Sequence, residues 1–305
     1  MVKVIYIAGW GRSGTTIVDN VFNSYKSVFS TGELFYLWQR GMLHKRRCGC
    51  NVLFERCVLW HDILQTAFGD RRPDPHRVVE LQQHTVRVRH TLSLVDGALS
   101  AEAEEYVDIY TRLYHAIAEV TGAELIVDSS KVPSGAALLT RMNGLVPYLV
   151  HMVRDPRAVT HSWMRAAPPP ETRKNAAPIY QRPASSTLHW LIRNALTERL
   201  ARAYPRRHRR LRYEDFARNP RTMIEEILEM TGTPVVDGPF LDDSTVVLEP
   251  NHTIAGNPSR FKNGEIAVRP DNRWLSDQRA GPRLTATALS LPLLHQYGYR
   301  TRPRA

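Results

Sequence analysis

Eight residues near the start of the chain, Gly9-Trp10-Gly11-Arg12-Ser13-Gly14-Thr15-Thr16, set a cation and three hydroxyls among three glycines, directly behind the apolar run Val4–Ala8. Glycine lets the backbone turn sharply and approach an anion with no Cβ in the way. With a helix starting near Thr15, the first amides of that helix point at the same anion, and the helix dipole adds to the attraction. The outline fits the phosphate-binding pattern of Gly, four residues, Gly. However, Thr15 stands where the nucleoside-triphosphate version carries lysine, and the cation sits at Arg12 instead. The plainer alternative is an ordinary strand-to-helix turn. A second basic group, Arg154-Asp155-Pro156-Arg157, follows the apolar run Tyr148–Val153, and Ser162 comes eight residues after Arg154. An Arg at a strand end and a Ser one or two helical turns later can clamp one phosphate. Arg157 and Arg165 have the simpler reading of solvated helix residues. Between the two groups, Asp128-Ser129-Ser130-Lys131 closes the run Leu125–Val127. There Asp128 reads as a turn residue and Ser129 as a cap for the helix that Pro133 opens.

These groups need a scaffold that brings strand ends together. The runs Val4–Ala8, Leu125–Val127 and Tyr148–Val153 read as buried parallel strands, and Arg210–Tyr213 as a fourth. Strands alternating with helices imply right-handed crossovers and a sheet covered on both faces, with ligands beyond the carboxyl ends of the strands. The predicted fold is therefore α/β: a P-loop-like three-layer αβα arrangement with a central, mostly parallel sheet. About a hundred residues between the first two runs read mainly as helix, notably 102–120, and are expected to form a helical cap insertion over about 34–122. Helices are also expected over 185–204 and 221–230. The Pro-rich stretch 166–183 reads as a mobile loop near the site mouth, and 234–272 as a segment wrapping the sheet edge. Neither internal repeats nor a second domain is apparent, so 1–305 is read as one domain.

Composition narrows the function. At 43% apolar and 23% charged residues the chain is globular rather than disordered. It has no apolar run long enough to span a membrane and no signal-peptide pattern at Met1–Ile7. With only three cysteines it is no secreted disulfide scaffold, and the cytoplasm is the default compartment. A net charge of +11 suits a polyanionic partner. The cluster Arg206–Arg210 with Arg212 reads as a solvated helix end leading into a strand. Cys48-Gly49-Cys50 and Cys57 fit no zinc template. With His44 or His61 as a borrowed ligand they can hold a metal, two can pair oxidatively, or all three are small buried thiols in the cap. No metal site is expected.

The two basic groups carry a resemblance. Arg12-Ser13-Gly14-Thr15-Thr16 resembles the 5′-phosphosulfate loop of the sulfotransferases that use 3′-phosphoadenosine 5′-phosphosulfate (PAPS), and Arg154 with Ser162 resembles their 3′-phosphate site. The likeness runs from Val4 to about Arg273 and is nearest the bacterial branch that shares features with tyrosylprotein sulfotransferases. In that branch an acidic residue follows the basic loop residue by 21 positions in a Gly-Glu context, as Gly32-Glu33 does here. The resemblance implies that Glu33 is the catalytic base and that Lys131, with Arg12, stabilises the transferring sulfonate. It further implies that Tyr213 touches the cofactor and that Arg260, in Asn257-Pro258-Ser259-Arg260, belongs to a loop closing over it. The implied reaction moves a sulfonate from PAPS to a hydroxyl of a small-molecule, carbohydrate or lipid acceptor and leaves 3′-phosphoadenosine 5′-phosphate (PAP), with no nucleic-acid partner. Two other readings stand beside it. A P-loop kinase or NTPase would use Asp128 as the metal-binding end of its strand, against which the missing lysine argues. A nucleic-acid-binding module would use the cluster at 206–212.

Overall fold

The computed structural model describes residues 1–166, 179–235 and 238–302. Its centre is β1 (Val2–Gly9), eight residues rich in β-branched side chains and buried over nearly their whole length. α1 (Thr15–Asn23) follows, then β2 (Val28–Gly32), and a run of helices: α2 (Val58–Phe68), α3 (Pro75–Thr85), α4 (Ser93–Asp96) and α5 (Ala101–Thr121). Next come β3 (Leu125–Lys131), α6 (Pro133–Leu139), β4 (Leu145–Val153), α7 (Pro156–Met164) and α8 (Pro183–Leu200). The chain continues through β5 (His208–Arg212), α9 (Tyr213–Arg218), α10 (Pro220–Thr231), β6 (Thr245–Leu248), β7 (Gly264–Ala267), α11 (Trp274–Asp277) and α12 (Ala280–Leu294).

The five strands β2-β3-β1-β4-β5, in that order, are all parallel, so the sheet is wholly rather than mostly parallel. β6 and β7 pair antiparallel as a separate two-stranded sheet. Side chains of β1 alternate between two cores, as the two-residue strand period requires. Val4, Tyr6 and Ala8 pack with Ile126 and Leu149 against Leu113 and Ile117 of α5 and Leu138 of α6. Ile5 and Ile7 pack with Val127 and Val150 against Val18 and Phe22 of α1 and Ile224 and Leu228 of α10. This is the expected three-layer plan.

Two elements depart from the sequence-based expectation. The stretch between the first two apolar runs reads mainly as helix, yet β2 lies within it. Val-Phe-Ser-Thr-Gly has only two large apolar residues because β2 is an edge strand, held by pairing along β3 and by the Thr31 hydroxyl donating to the Val127 carbonyl at 3.0 Å. The expected helix at 102–120 is α5, capped by Ser100 accepting from the Ala103 amide and ended by Gly122 at φ 67. Second, the strand expected to end at Asp128 continues to Lys131. Its register against β1 slips: Asp128 faces Tyr6 while Lys131 faces Ala8, so Ser129 and Ser130 form a bulge. Most of the loop expected over 166–183 lies outside the described residues. Downstream, the Ile254 backbone bridges Gly32, so the segment after β6 does lie along the β2 edge.

Candidate active site

All five sheet strands point their carboxyl ends at one edge, and the candidate residues collect there. β1 ends in Gly9, at φ 139, where a Cβ would come within 2.3 Å of the Met152 carbonyl oxygen. The turn that follows puts Arg12 at φ 69 and Gly14 at φ 88, the left-handed N-cap of α1. A Cβ on Gly14 would stand 2.4 Å from the Tyr213 ring, so the turn is pressed between β4 and the start of α9. Ser13 and Thr15 are buried, and the Ser13 hydroxyl has no hydrogen-bond partner among the described residues. A buried hydroxyl left open in a turn of this kind is available to a ligand oxygen.

Glu33 follows β2 directly. Its amide donates to the Ile254 carbonyl at 2.8 Å, which fixes the backbone. The bulge in β3 swings Lys131, at φ 69, towards it: Lys131 Nζ lies 2.5 Å from Glu33 Oε1 and 2.9 Å from the Ser129 carbonyl. Arg40 Nη1 stands 3.7 Å from Glu33 Oε2 and stacks on the Tyr36 ring at 4.0 Å. Burial pulls the Arg12 guanidinium below its ordinary pKa, and the Glu33 charge opposes that shift. The point where a Cβ on Gly256 would sit is 3.8 Å from both Glu33 Oε1 and Thr16 Oγ1, so the carboxylate borders the opening turn of α1. Carboxylate, ammonium and two guanidiniums thus share one corner.

Beyond β4, Arg154 is buried and spans three elements. Nη1 donates to the Arg12 carbonyl at 3.1 Å, while Nη2 donates to Asp271 through its carbonyl at 3.1 Å and its Oδ2 at 3.2 Å. The guanidinium lies over the Tyr213 ring at 4.3 Å, and Nε has no partner among the described residues. Tyr213 therefore supports Arg154 and also accepts the Asp271 amide at 3.1 Å. Arg154 and Ser162 line one cavity of about 170 Å³ with Arg12, His161, Arg165 and Arg273. Asp271 is on the wall too, its carboxyl held well below the usual range by Arg273 and then Arg154. Open glycine turn, unsatisfied Ser13 and Arg154 atoms and a cationic wall together fit an anionic ligand.

Arg260 is placed differently from the wall residues. Its guanidinium donates to the Thr253 and Arg47 carbonyls, each at 2.5 Å, so it ties the 251–260 segment to the loop before α2. Arg157, read as solvated, is instead buried in a two-pronged pair with Asp155 and donates to the Thr301 carbonyl at 2.8 Å. Ser129 caps nothing, since α6 starts behind Val132. Asp128 is buried and accepts from Tyr114 Oη at 2.6 Å and from the Ser130 amide at 2.8 Å; it lies within β3, beside the bulge, rather than in the turn expected. Asp271 and Arg273 escaped the sequence reading because they lie in a stretch without strand or helix periodicity, and Arg40 because nothing in the helical segment Leu37–Leu43 sets it apart from other surface cations. So did the aromatic group beside the turn: Trp163 lies under Arg12 at 5.0 Å, and Trp10 stacks on His189 at 5.4 Å.

A wholly parallel sheet with a glycine turn and converging cations at its carboxyl edge defines a P-loop-like α/β protein. The profile of the sulfotransferase family matches residues 5–237, and the chain belongs to that family, whose members transfer sulfonate groups. No curated protein sequence matches the chain. Among solved structures it is similar to the sulfotransferase domain from the curacin biosynthetic pathway, at 17% identity and TM-score 0.54 with 99% of each chain covered. It is also similar to the sulfotransferase domain from the Synechococcus PCC 7002 olefin synthase, at 18% identity and TM-score 0.55, covering 99% of this chain and 96% of that one. At such identities the likeness speaks for the fold. Among the described residues no helix is long and apolar enough to cross a membrane.

Proposed function

We propose that this sulfotransferase takes its sulfonate from PAPS and passes it to a hydroxyl of a small-molecule, carbohydrate or lipid acceptor in the cytoplasm, with Glu33 as general base. The observation that carries the reading is the contact of Glu33 with Lys131 at 2.5 Å, beside the first turn of α1. In the transfer, a bond forms from the acceptor oxygen to sulfur as the bond from sulfur to the donor's phosphate oxygen breaks. The acceptor proton goes to Glu33, and the electron pair of the broken bond stays on PAP. The charge that grows on the bridging and equatorial oxygens needs fixed positive partners, as in phosphoryl transfer. Lys131 Nζ uses two of its three N–H groups on Glu33 and the Ser129 carbonyl, which leaves one for a sulfonate oxygen. Arg12 and the amides of Ser13 to Thr16 supply the rest, while Arg154 and Ser162 hold the 3′-phosphate. Tyr213 and Arg260 act by positioning, through Arg154 and through the 251–260 segment.

The test is Glu33→Gln against Arg154→Ala. Glu33→Gln should bind PAP as the parent does and lose turnover by about 10²–10⁴-fold, the usual worth of a general base. Arg154→Ala should weaken PAP binding. A Glu33→Gln enzyme with normal turnover at saturating PAPS removes the base assignment, and a thermal shift with ATP but none with PAP removes the donor.

A further inference from the structure

Cys48 and Cys50 sit on a tight turn whose flanks are bridged at Arg47 and Leu53, and Cys57 is the N-cap of α2. The residue that meets them is neither His44 nor His61 but His252, some two hundred residues along the chain. Its Nδ1 lies 3.3 Å from Cys57 Sγ and 3.7 Å from Cys48 Sγ, while Cys50 Sγ lies 3.8 Å from Cys57 Sγ. All four donor atoms fall within 4.8 Å of one another. Donors around a tetrahedral zinc, with Zn–S about 2.3 Å and Zn–N about 2.0 Å, stand roughly 3.5–3.8 Å apart. The three measured edges lie close to that range, and no carboxylate belongs to the group.

We propose that Cys48, Cys50, Cys57 and His252 bind one zinc ion as a closed structural site. Three thiolates and an imidazole favour zinc over magnesium, calcium or manganese, and four protein donors leave no position open for catalysis. The surroundings are built for the contact. Cys48 and Cys57 are buried. Trp60 Nε1 donates to the His252 carbonyl at 2.7 Å, and the Gly49 amide donates to the Thr253 carbonyl at 3.0 Å. A Cβ on Gly49 would come within 1.9 Å of Asn251 Oδ1 and 2.8 Å of the Asn251 carbonyl oxygen, so the cysteine turn and the 251–253 backbone are pressed together at the residue between two ligands. The ion joins the start of α2 to the segment in which Arg260 reaches back to Arg47 and Ile254 pairs with Glu33. It lies outside the sulfonate chemistry, and its presence does not depend on which donor the enzyme uses.

The test is metal analysis of the whole protein, expressed with zinc in the medium and purified without chelator. One zinc per chain is expected, with all three thiols shielded from a thiol reagent until a mercurial releases the metal to a chromogenic chelator. Cobalt exchanged into the protein should give the visible bands of a tetrahedral site and thiolate-to-metal charge transfer. Cys57→Ser and His252→Ala should each lose most of the zinc. Because either variant can fail to fold, the parent is also stripped with a strong chelator, and its Tm should fall and return with zinc but not with magnesium. Three freely titrating thiols without metal, an intact mass showing a disulfide, or a different metal at full occupancy would each overturn the assignment.

Discussion

Arg12 and Lys131 share a backbone conformation that neither side chain favours, both at φ 69. A non-glycine residue there costs roughly 1 kcal/mol or more, and it persists only where the surroundings demand it. At Lys131 the demand is the bulge that turns its ammonium to Glu33. Lys131→Gly and Lys131→Ala remove the same ammonium, but only glycine relieves the backbone. The glycine variant should be the more stable of the two by about 1 kcal/mol in urea unfolding, with turnover equally depressed in both. Equal stability would mean the bulge carries no strain. Asp19, buried one turn further along α1, has its pKa raised to about 7 by burial, against hydrogen bonds from Ser30 and Ser129 and the charge of Lys131. An unfolded Asp titrates near about 3.9, so between about pH 4 and 7 the folded state binds more protons and stability falls as pH rises. Asp19→Asn should remove that slope and gain on the parent by on the order of 1–3 kcal/mol between pH 5 and pH 8. A difference that stays constant with pH would refute the assignment.

The edge formed by β2 and the 251–256 segment carries both Glu33 and His252, and a single glycine lets the two backbones close. Gly32 lies at φ 68, and a Cβ there would stand 2.6 Å from the Ile254 carbonyl oxygen and 2.7 Å from Thr253 Cβ. Gly32→Ala combines a positive φ with a backbone collision, so unfolding should be easier by at least about 2 kcal/mol, read from the denaturation midpoint at constant m-value. This edge is also where sequence reading ran short. The runs at Val4, Leu125 and Tyr148 announce central strands, since a strand covered on both faces must be apolar throughout. β5 was legible as the fourth strand despite its arginines. β2 was not, because an edge strand of five residues ending in Ser-Thr-Gly shows no such run. Arg12, Arg154 and Ser162 were legible because each sits at a fixed offset from an apolar strand. Asp271 meets Arg154, and His252 meets Cys57, across more than a hundred residues, and local spacing holds no trace of such meetings.

The net charge of +11 is unevenly used. On β5, Arg209 pairs with Glu226, while Arg210 meets Glu198 at 3.1 Å and Arg212 meets Asp215 at 3.6 Å. Charged side chains along an outer strand also discourage edge-to-edge pairing between molecules, which gives the cluster a structural use. Around the cavity the balance differs. Arg12, Arg154, Arg165 and Arg273 face a wall whose carboxylate is Asp271, already shared by Arg154 and Arg273. A ligand with several negative charges gains most at that wall, and salt weakens the gain in proportion to its exposed part. Affinity for PAP should therefore fall about tenfold between about 0.05 and about 0.5 M salt, with a shallower slope in Arg273→Gln and an unchanged one in Arg209→Gln. Calorimetric titration at four ionic strengths measures all three slopes. If the slope instead follows Arg209, and duplex DNA binds with steep salt dependence that survives Arg12→Ala and Arg154→Ala, the positive charge serves a nucleic-acid surface on β5 rather than the nucleotide at the strand ends.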